Sequence, residues 1–178
     1  MLYDQDPKTA DTLLSELESD IEATLSEIRR LVYDLRPPAL DELGLVGAIR
    51  DAAERYASHA ASGLDVSVHA PDELPPLSAA VEVASYRIVQ EALANVTNHA
   101  SATNCVVRLT LADGLQIEVS DDGIGIPKDH RSGVGLHSMR ERAEELGGTC
   151  AVGRSASGGT RVLARLPLPD HEKSASRG

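Results

Sequence analysis

The chain has 178 residues, a prior for one domain plus an appendage, and is 42% hydrophobic and 25% charged with neither Phe nor Trp. Its formal charge of −11 argues against a nucleic-acid partner, because binding a phosphate backbone needs a basic face. Its two cysteines, Cys105 and Cys150, fit no metal-ligand spacing, and no run approaches the ~20 apolar residues of a membrane span.

Without Phe or Trp the core must be built from Leu, Val, Ile and Ala. A globular part of roughly 135 residues buries about two-thirds of its unfolded surface, enough for an independent core. The cysteines read as small buried or half-buried thiols in a reducing compartment. Met1 opens no signal peptide, so any membrane segment is expected in a longer parent chain.

Residues 1–7 read as a frayed end. From Lys8 to Leu35 the pattern is helical: Leu14, Leu17, Ile21, Ile28, Leu31 and Leu35 step by three and four, with Thr24 in the polar slot. The opposite face carries Asp11, Glu16, Glu18, Asp20, Glu22 and Glu27. That face is either a solvated surface or a docking surface for a basic partner. So wide an apolar stripe needs partner helices, from a second chain or from another segment. Arg36-Pro37-Pro38 ends the helix, because a proline disfavours helix at the residue before it.

Ala39–Leu45 reads as a compact connector, and Leu45 to about Ser62 as an amphipathic helix stopped by Gly63. Leu64–His69 alternates like a half-buried strand. Pro71–Pro76 is a loop, and Ser78 caps a longer helix predicted to run to about His99. Asn104–Leu111 and Leu115–Ser120 alternate again around Asp113-Gly114, a strong hairpin signal. Residues 121–135 form a polar glycine-rich loop. Leu136–Leu146 is a helix stopped by Gly147-Gly148, and Thr149–Gly153 and Thr160–Leu168 are closing strands. This order, with runs of antiparallel strands and helices gathered on one face, predicts an α+β sandwich. The expected division is a bundle helix and connector over 1–40, a globular domain over 41–169, and a disordered tail over 170–178.

Three islands carry chemistry. Glu91 and Asn95 are four apart on one helix, so they share a face, and Asn98 and His99 continue it. A carboxylate and an amide at this spacing suit a hydrated divalent cation such as Mg²⁺, which takes one or two protein oxygens plus phosphates. Asn95 is the expected ligand; Glu91 orients a water or polarises an attacking group. Asp121-Asp-Gly-Ile-Gly125 follows a strand. A carboxylate at a strand end accepts a hydrogen bond from an exocyclic amino group, and the glycines let backbone approach a ring. Gly133-Val-Gly135 precedes a helix and exposes backbone N–H groups to an anion. Gly159-Thr160 opens the last strand, where the hydroxyl supports the base end.

In this order, the islands resemble the GHKL superfamily of ATP-binding domains, and within it the sensor histidine kinases of bacterial two-component systems. Glu91–Asn95 is similar to the N box, Asp121–Gly125 to the G1 box and Gly133–Leu136 to the G2 box. Leu35–Leu45, with the helix before it, resembles the subfamily that pairs with NarL-type response regulators; the likeness covers roughly residues 8–168. It implies a two-layer, left-handed-crossover Bergerat sandwich with an N-terminal bundle or coiled-coil helix. It also implies ATP and Mg²⁺ as cofactors, a homodimeric parent kinase and a cytoplasmic location. Carried over, Asp121 recognises the adenine amino group, Asn95 coordinates Mg²⁺ and Glu91 assists phosphoryl transfer, also touching the metal through water. Gly123, Gly125, Gly133 and Gly135 shape the lid and phosphate site. Asn98, His99, Ile126, Val134, Leu136 and Thr160 complete the nucleotide contacts.

Two departures stand out. The family's N box often has Lys or Arg where this chain has Asn98, a loss that Lys128, Arg131 or His137 would have to offset. The phosphoacceptor His, followed by an acidic residue on a first bundle helix, has no counterpart here: only His171 of the six histidines precedes Glu. The expectation is a truncated kinase that binds ATP without phosphorylating itself. The rival readings are an anti-sigma-type GHKL serine kinase and a degenerate ATP-binding or dimerisation module.

Overall fold

The computed structural model describes residues 36–60, 63–126 and 134–168. The predicted helix over Lys8–Leu35 with its acidic face, and the tail over 170–178, lie outside the described residues. So do Gly133, Lys128 and Arg131. The elements below all belong to one compact unit, Pro38–Gly178.

They run α1 (Pro38–His59), β1 (Asp65–His69), α2 (Ala79–Asn95), a π-helical turn (Val96–Ala100), β2 (Asn104–Ala112), β3 (Gly114–Asp121), α3 (Val134–Glu144), β4 (Thr149–Arg154) and β5 (Thr160–Leu166). The strands form one five-stranded sheet in the order β1-β2-β3-β5-β4. The expected run of antiparallel neighbours is present over β2, β3, β5 and β4, and β1 joins its edge in parallel with β2. Alternation looks the same in either orientation. The intervening α2 is what permits the parallel pair, because parallel neighbours need a crossover that a hairpin cannot supply.

Register explains the core. On β3, Leu115, Ile117, Val119 and Asp121 are buried and their neighbours in sequence are not. Cys105, Val107 and Leu109 of β2 stand opposite Asp121, Val119 and Ile117, and Leu166, Ala164 and Val162 of β5 stand opposite Leu115, Ile117 and Val119. These rows make one apolar face. The helices cover it, with α1 against β1, α2 against β3 and β5, and α3 against β4 and β5. The other face carries Arg108, Gln116, Glu118, Ser120, Arg161 and Arg165, and the Arg161 guanidinium bonds Glu118 across the ladder.

As the composition requires, the largest fully buried side chains are aliphatic or Met: Ile49, Ile88, Leu93, Leu109, Leu115, Ile117, Met139 and Leu166. Each such burial contributes about 1.5–3 kcal/mol. Tyr86 is the one aromatic fully in this core among the described residues, and its hydroxyl accepts from Arg55 Nη2 at 3.2 Å. Both cysteines are buried free thiols. No described helix is long and apolar enough to cross a membrane.

Two helix boundaries differ from the sequence reading. α1 begins at Pro38, so the expected connector is itself helical; Gly44, at φ 66° and ψ 175°, breaks it, and the helix expected from Leu45 follows. Proline suits a first helical position because its missing N–H has no intrahelical acceptor there. Beyond the kink, Leu45, Ala48, Ile49, Ala52 and Ala53 form the buried stripe. α2 is capped by the Ser78 hydroxyl, which accepts from Val81 N at 3.3 Å, but its α-helical run ends at Asn95. Residues 96–100 then widen into a π turn, closed by Ser101 at φ 50°.

Candidate functional site: an apolar cleft with one buried carboxylate

A cavity of about 260 Å³ opens between α2, the π turn, β3, β5 and the start of α3. Its walls are mostly aliphatic, from Ala92, Val96, Ala100, Val119, Val152 and Val162. Asn95, His99, Asp121 and Thr160 supply its polar groups. The volume is near the low end for ligand sites, roughly 300–1,000 Å³, so it suits a flat ring more than a whole nucleotide.

Asp121 is in this cleft because of strand parity. Its place on β3 continues the row Leu115, Ile117 and Val119, so the carboxylate faces the helices and is only 3% exposed. One oxygen is held: Oδ1 accepts from Gly123 N at 2.8 Å and from Thr160 N at 3.2 Å. No described residue donates to Oδ2, which leaves an acceptor free on the cavity wall. The Asp121 backbone oxygen accepts from the Ser157 hydroxyl at 2.9 Å.

The loop after β3 is tied down on both sides. Ile124 N donates to Ala100 O at 2.9 Å, and a Cβ on Gly123 would collide with that same carbonyl. The π turn is what presents this carbonyl. Gly125 takes φ 73°, a left-handed conformation that glycine adopts freely. Asp122 points away and clamps the start of β2. Its Oδ1 accepts from Thr103 N and Asn104 N, both at 2.9 Å, and its Oδ2 from Thr103 Oγ1 at 2.9 Å and Asn104 Nδ2 at 2.8 Å. These bonds, those of Asn104 first, hold the Asp122 carboxyl well below the usual carboxylate range.

Of the residues singled out from sequence, Asn95, His99, Asp121, Gly125, Ile126, Leu136 and Thr160 line the cavity. Glu91, Asn98, Gly123, Val134 and Gly135 do not, and Gly133 lies outside the described residues. Asn98 is exposed, because the π turn breaks the face it was expected to share with Asn95. Asn95 is half-buried, and its Nδ2 is fully buried without a hydrogen bond among the described residues. Glu91 lies one turn back along α2, against Gly135 at the start of α3. Burial, and then the nearby Glu91 charge, push the Tyr56 phenol of α1 up. Glu91 therefore stands close to all three helices.

Sequence reasoning overlooked Gly159 and Ser157 as supports of Asp121. Both lie more than thirty-five residues downstream, and only the β3–β5 pairing brings them to it. The one visible signal is the Gly158-Gly159 pair just before a strand.

Residues 80–170 match the family described as histidine kinase-, DNA gyrase B- and HSP90-like ATPase. The chain belongs to that family. The chain is 36% identical over 163 residues to the sensor histidine kinase MctS of Rhizobium johnstonii, covering 88% of this chain and 34% of that protein. It is 31% identical over 160 residues to the nitrate/nitrite sensor protein NarX of Escherichia coli, covering 88% and 26%. Among solved structures it is similar to the ATP-binding domain of PrrB from Mycobacterium tuberculosis, at 26% identity and a TM-score of 0.52, covering 68% of this chain and 92% of that one. The chain thus spans between about a quarter and a half of the curated relatives it matches. The sheet with its helical layer is the fold of an ATP-binding domain of this family.

Proposed function

We propose that this chain is the ATP-binding catalytic region of a sensor histidine kinase. In this reading it holds Mg-ATP so that the γ-phosphoryl passes to a histidine on a phosphoacceptor helix, for relay to an aspartate of a NarL-type response regulator. The observation that carries the reading is Asp121. A buried carboxylate with one oxygen satisfied by two backbone N–H groups and the other free at the cavity wall is an acceptor waiting for a donor. The adenine amino group supplies that donor. The aliphatic walls then cover both faces of the ring. Relatives named as sensor histidine kinases support histidine over serine as the acceptor.

The residues present fit a magnesium ion. Glu91 and Asn95 carry hard oxygen donors one helical turn apart, the kind of ligand Mg²⁺ takes, with the Asn95 amide oxygen as the ligating atom. Among the described residues no group of three or more His, Cys, Asp or Glu converges. That suits Mg²⁺, which takes few protein ligands and shares itself with phosphates. When bound, the ion neutralises charge on the phosphate oxygens, the main need of phosphoryl transfer. Asn95 anchors it, and Glu91 accepts the N–H of the attacking imidazole and so raises its nucleophilicity. The parent kinase acts as a homodimer in the cytoplasm, where ATP is.

Titration of the chain with a fluorescent ATP analogue, with and without Mg²⁺, tests the reading. Saturable binding strengthened by Mg²⁺ is expected. A folded chain that binds no nucleotide would instead be a degenerate module.

A further inference from the structure

We propose that the hydroxyls of Ser120, Ser155 and Ser157 form a directed relay that fixes the Asp121 peptide, and so sets how strictly the cleft demands an amino group on its base. The three serines are positioning residues that act through Asp121. The proposal deepens the kinase reading above and rests on its assignment of Asp121 to the base.

The direction of the relay follows from its end. Ser157 Oγ lies 2.9 Å from the Asp121 carbonyl oxygen, which can only accept, so the Ser157 hydroxyl donates there. A hydroxyl has one proton to give. In the 2.7 Å contact between Ser155 Oγ and Ser157 Oγ, Ser155 is therefore the donor. By the same count Ser120 donates to Ser155 across 2.7 Å. Ser157 N is a second donor to Ser155 Oγ, at 3.3 Å. Each hydroxyl is polarised by the one before it, which strengthens the last bond.

The relay fills a gap in the sheet. Asp122 N donates to Asn104 O on the β2 side, so the Asp121 carbonyl of the same planar peptide points toward β5. The β3–β5 ladder ends at Ser120 and Arg161. One rung further, Thr160 N would reach this carbonyl, but it donates to Asp121 Oδ1 instead. The Ser157 hydroxyl takes the vacated place. Its loop is closed on itself by bonds from Ser155 N to Gly159 O at 2.9 Å and from Gly158 N to Ser155 O at 3.1 Å, so it moves as a unit. The loop and the start of β5 thus clasp Asp121 by backbone and carboxylate together, and Ser120 anchors the loop from the sheet face opposite the helices. None of the three serines lines the cavity, so they reach a nucleotide only through Asp121.

The test is displacement of a fluorescent ATP analogue by ATP and by purine riboside triphosphate, which lacks the amino group. The ratio of the two affinities reads the bond from the base to Asp121, whereas a general loosening of the cleft weakens both nucleotides alike. Ser157→Ala should lower the ratio roughly fivefold, within the range of one neutral hydrogen bond. Ser120→Ala, on the far face of the sheet, should lower it by a smaller factor. The double variant should be no worse than Ser157→Ala alone, because the relay acts only through its last bond. Amide hydrogen exchange is the second measurement: Gly123 and Thr160, whose N–H groups bond Asp121 Oδ1, should exchange faster in Ser157→Ala. An unchanged ratio in either single variant, equal losses for both nucleotides, losses that multiply in the double variant, or unchanged exchange would each overturn the proposal. A wild type that binds neither nucleotide would overturn the kinase reading instead, and the exchange rates would still decide whether the relay holds Asp121.

Discussion

Gly159 lies so close to Asp121 that no side chain fits between them: a Cβ at 159 would collide with Asp121 Oδ1 and the Asp121 carbonyl oxygen, and stand 2.6 Å from Gly123 N. The missing side chain just before β5 therefore seats the carboxylate on β3. Gly159→Ala is predicted to push the strand start away and break the bond from Thr160 N to Oδ1. Overpacking of this kind costs about 1–3 kcal/mol. Urea unfolding should show that loss, and the ATP analogue should bind far more weakly. A variant with native stability and native affinity would mean that β5 adjusts without disturbing Asp121.

Asp121→Asn separates recognition from folding. The amide oxygen can still accept from Gly123 N and Thr160 N, so the loop and β5 stay in place. The other atom becomes an NH₂ donor facing the cavity. It meets the amino donor of adenine and cannot accept from it. A lost hydrogen bond to a charged group is worth about 1.5–3 kcal/mol, and the opposed donors add to that. Analogue titration should show affinity falling by roughly 100-fold or more, with an unchanged melting temperature. Unchanged affinity would remove Asp121 from base recognition.

The neighbouring Asp122 has a different task, visible in acid. Its four hydrogen bonds to Thr103 and Asn104 form only with the carboxylate as acceptor, so its folded pKa lies below the unfolded value. A lowered folded pKa contributes stability above the unfolded pKa of about 3.9, and that contribution is lost as pH falls below it. Asp122→Asn should therefore narrow the gap in melting temperature between pH 7 and pH 3 relative to wild type. An identical acid dependence in both proteins would show that the clamp does not couple to folding. Nucleotide affinity at pH 7 should hold, because Asp122 faces the start of β2 and does not line the cavity.

The strands and the buried acid were legible because a sheet with one covered face writes a period of two into the sequence. Val107, Leu109, Leu115, Ile117 and Val119 could be placed from that period alone, and Asp121 fell in step with them. Strand direction was not legible, since β1 and β2 alternate alike whether parallel or antiparallel. Nor was the π turn. Its sequence, Val96-Thr-Asn-His-Ala100, carries no breaker, and the widening is visible only together with the bond from Ile124 N to Ala100 O, which reaches across twenty-four residues. The supports of Asp121 on the β4–β5 loop were hidden for the same reason. Contacts between residues far apart in sequence leave no periodic trace.

The helix expected from Leu45 does resume there, but the helical segment before it, from Pro38, was not foreseen, and the cause is one glycine. Leu40 and Leu45 are both buried, five residues apart, a spacing that a straight helix does not place on one face. Gly44, at φ 66° and ψ 175°, resets the phase so that both reach the core. That conformation belongs almost entirely to glycine, and other residues pay about 1–3 kcal/mol to hold it. An added Cβ at 44 meets nothing within 4 Å, so strain in the backbone is the whole effect. Gly44→Ala should then lower unfolding stability by that amount, or straighten the helix and swing Leu40 out of the core. Urea unfolding with near-UV and far-UV circular dichroism tells these apart, since straightening alone raises helix content. Native stability with native helix content would show that the kink tolerates a side chain. The nucleotide cleft is built from other elements, so its affinity for the ATP analogue should survive either outcome.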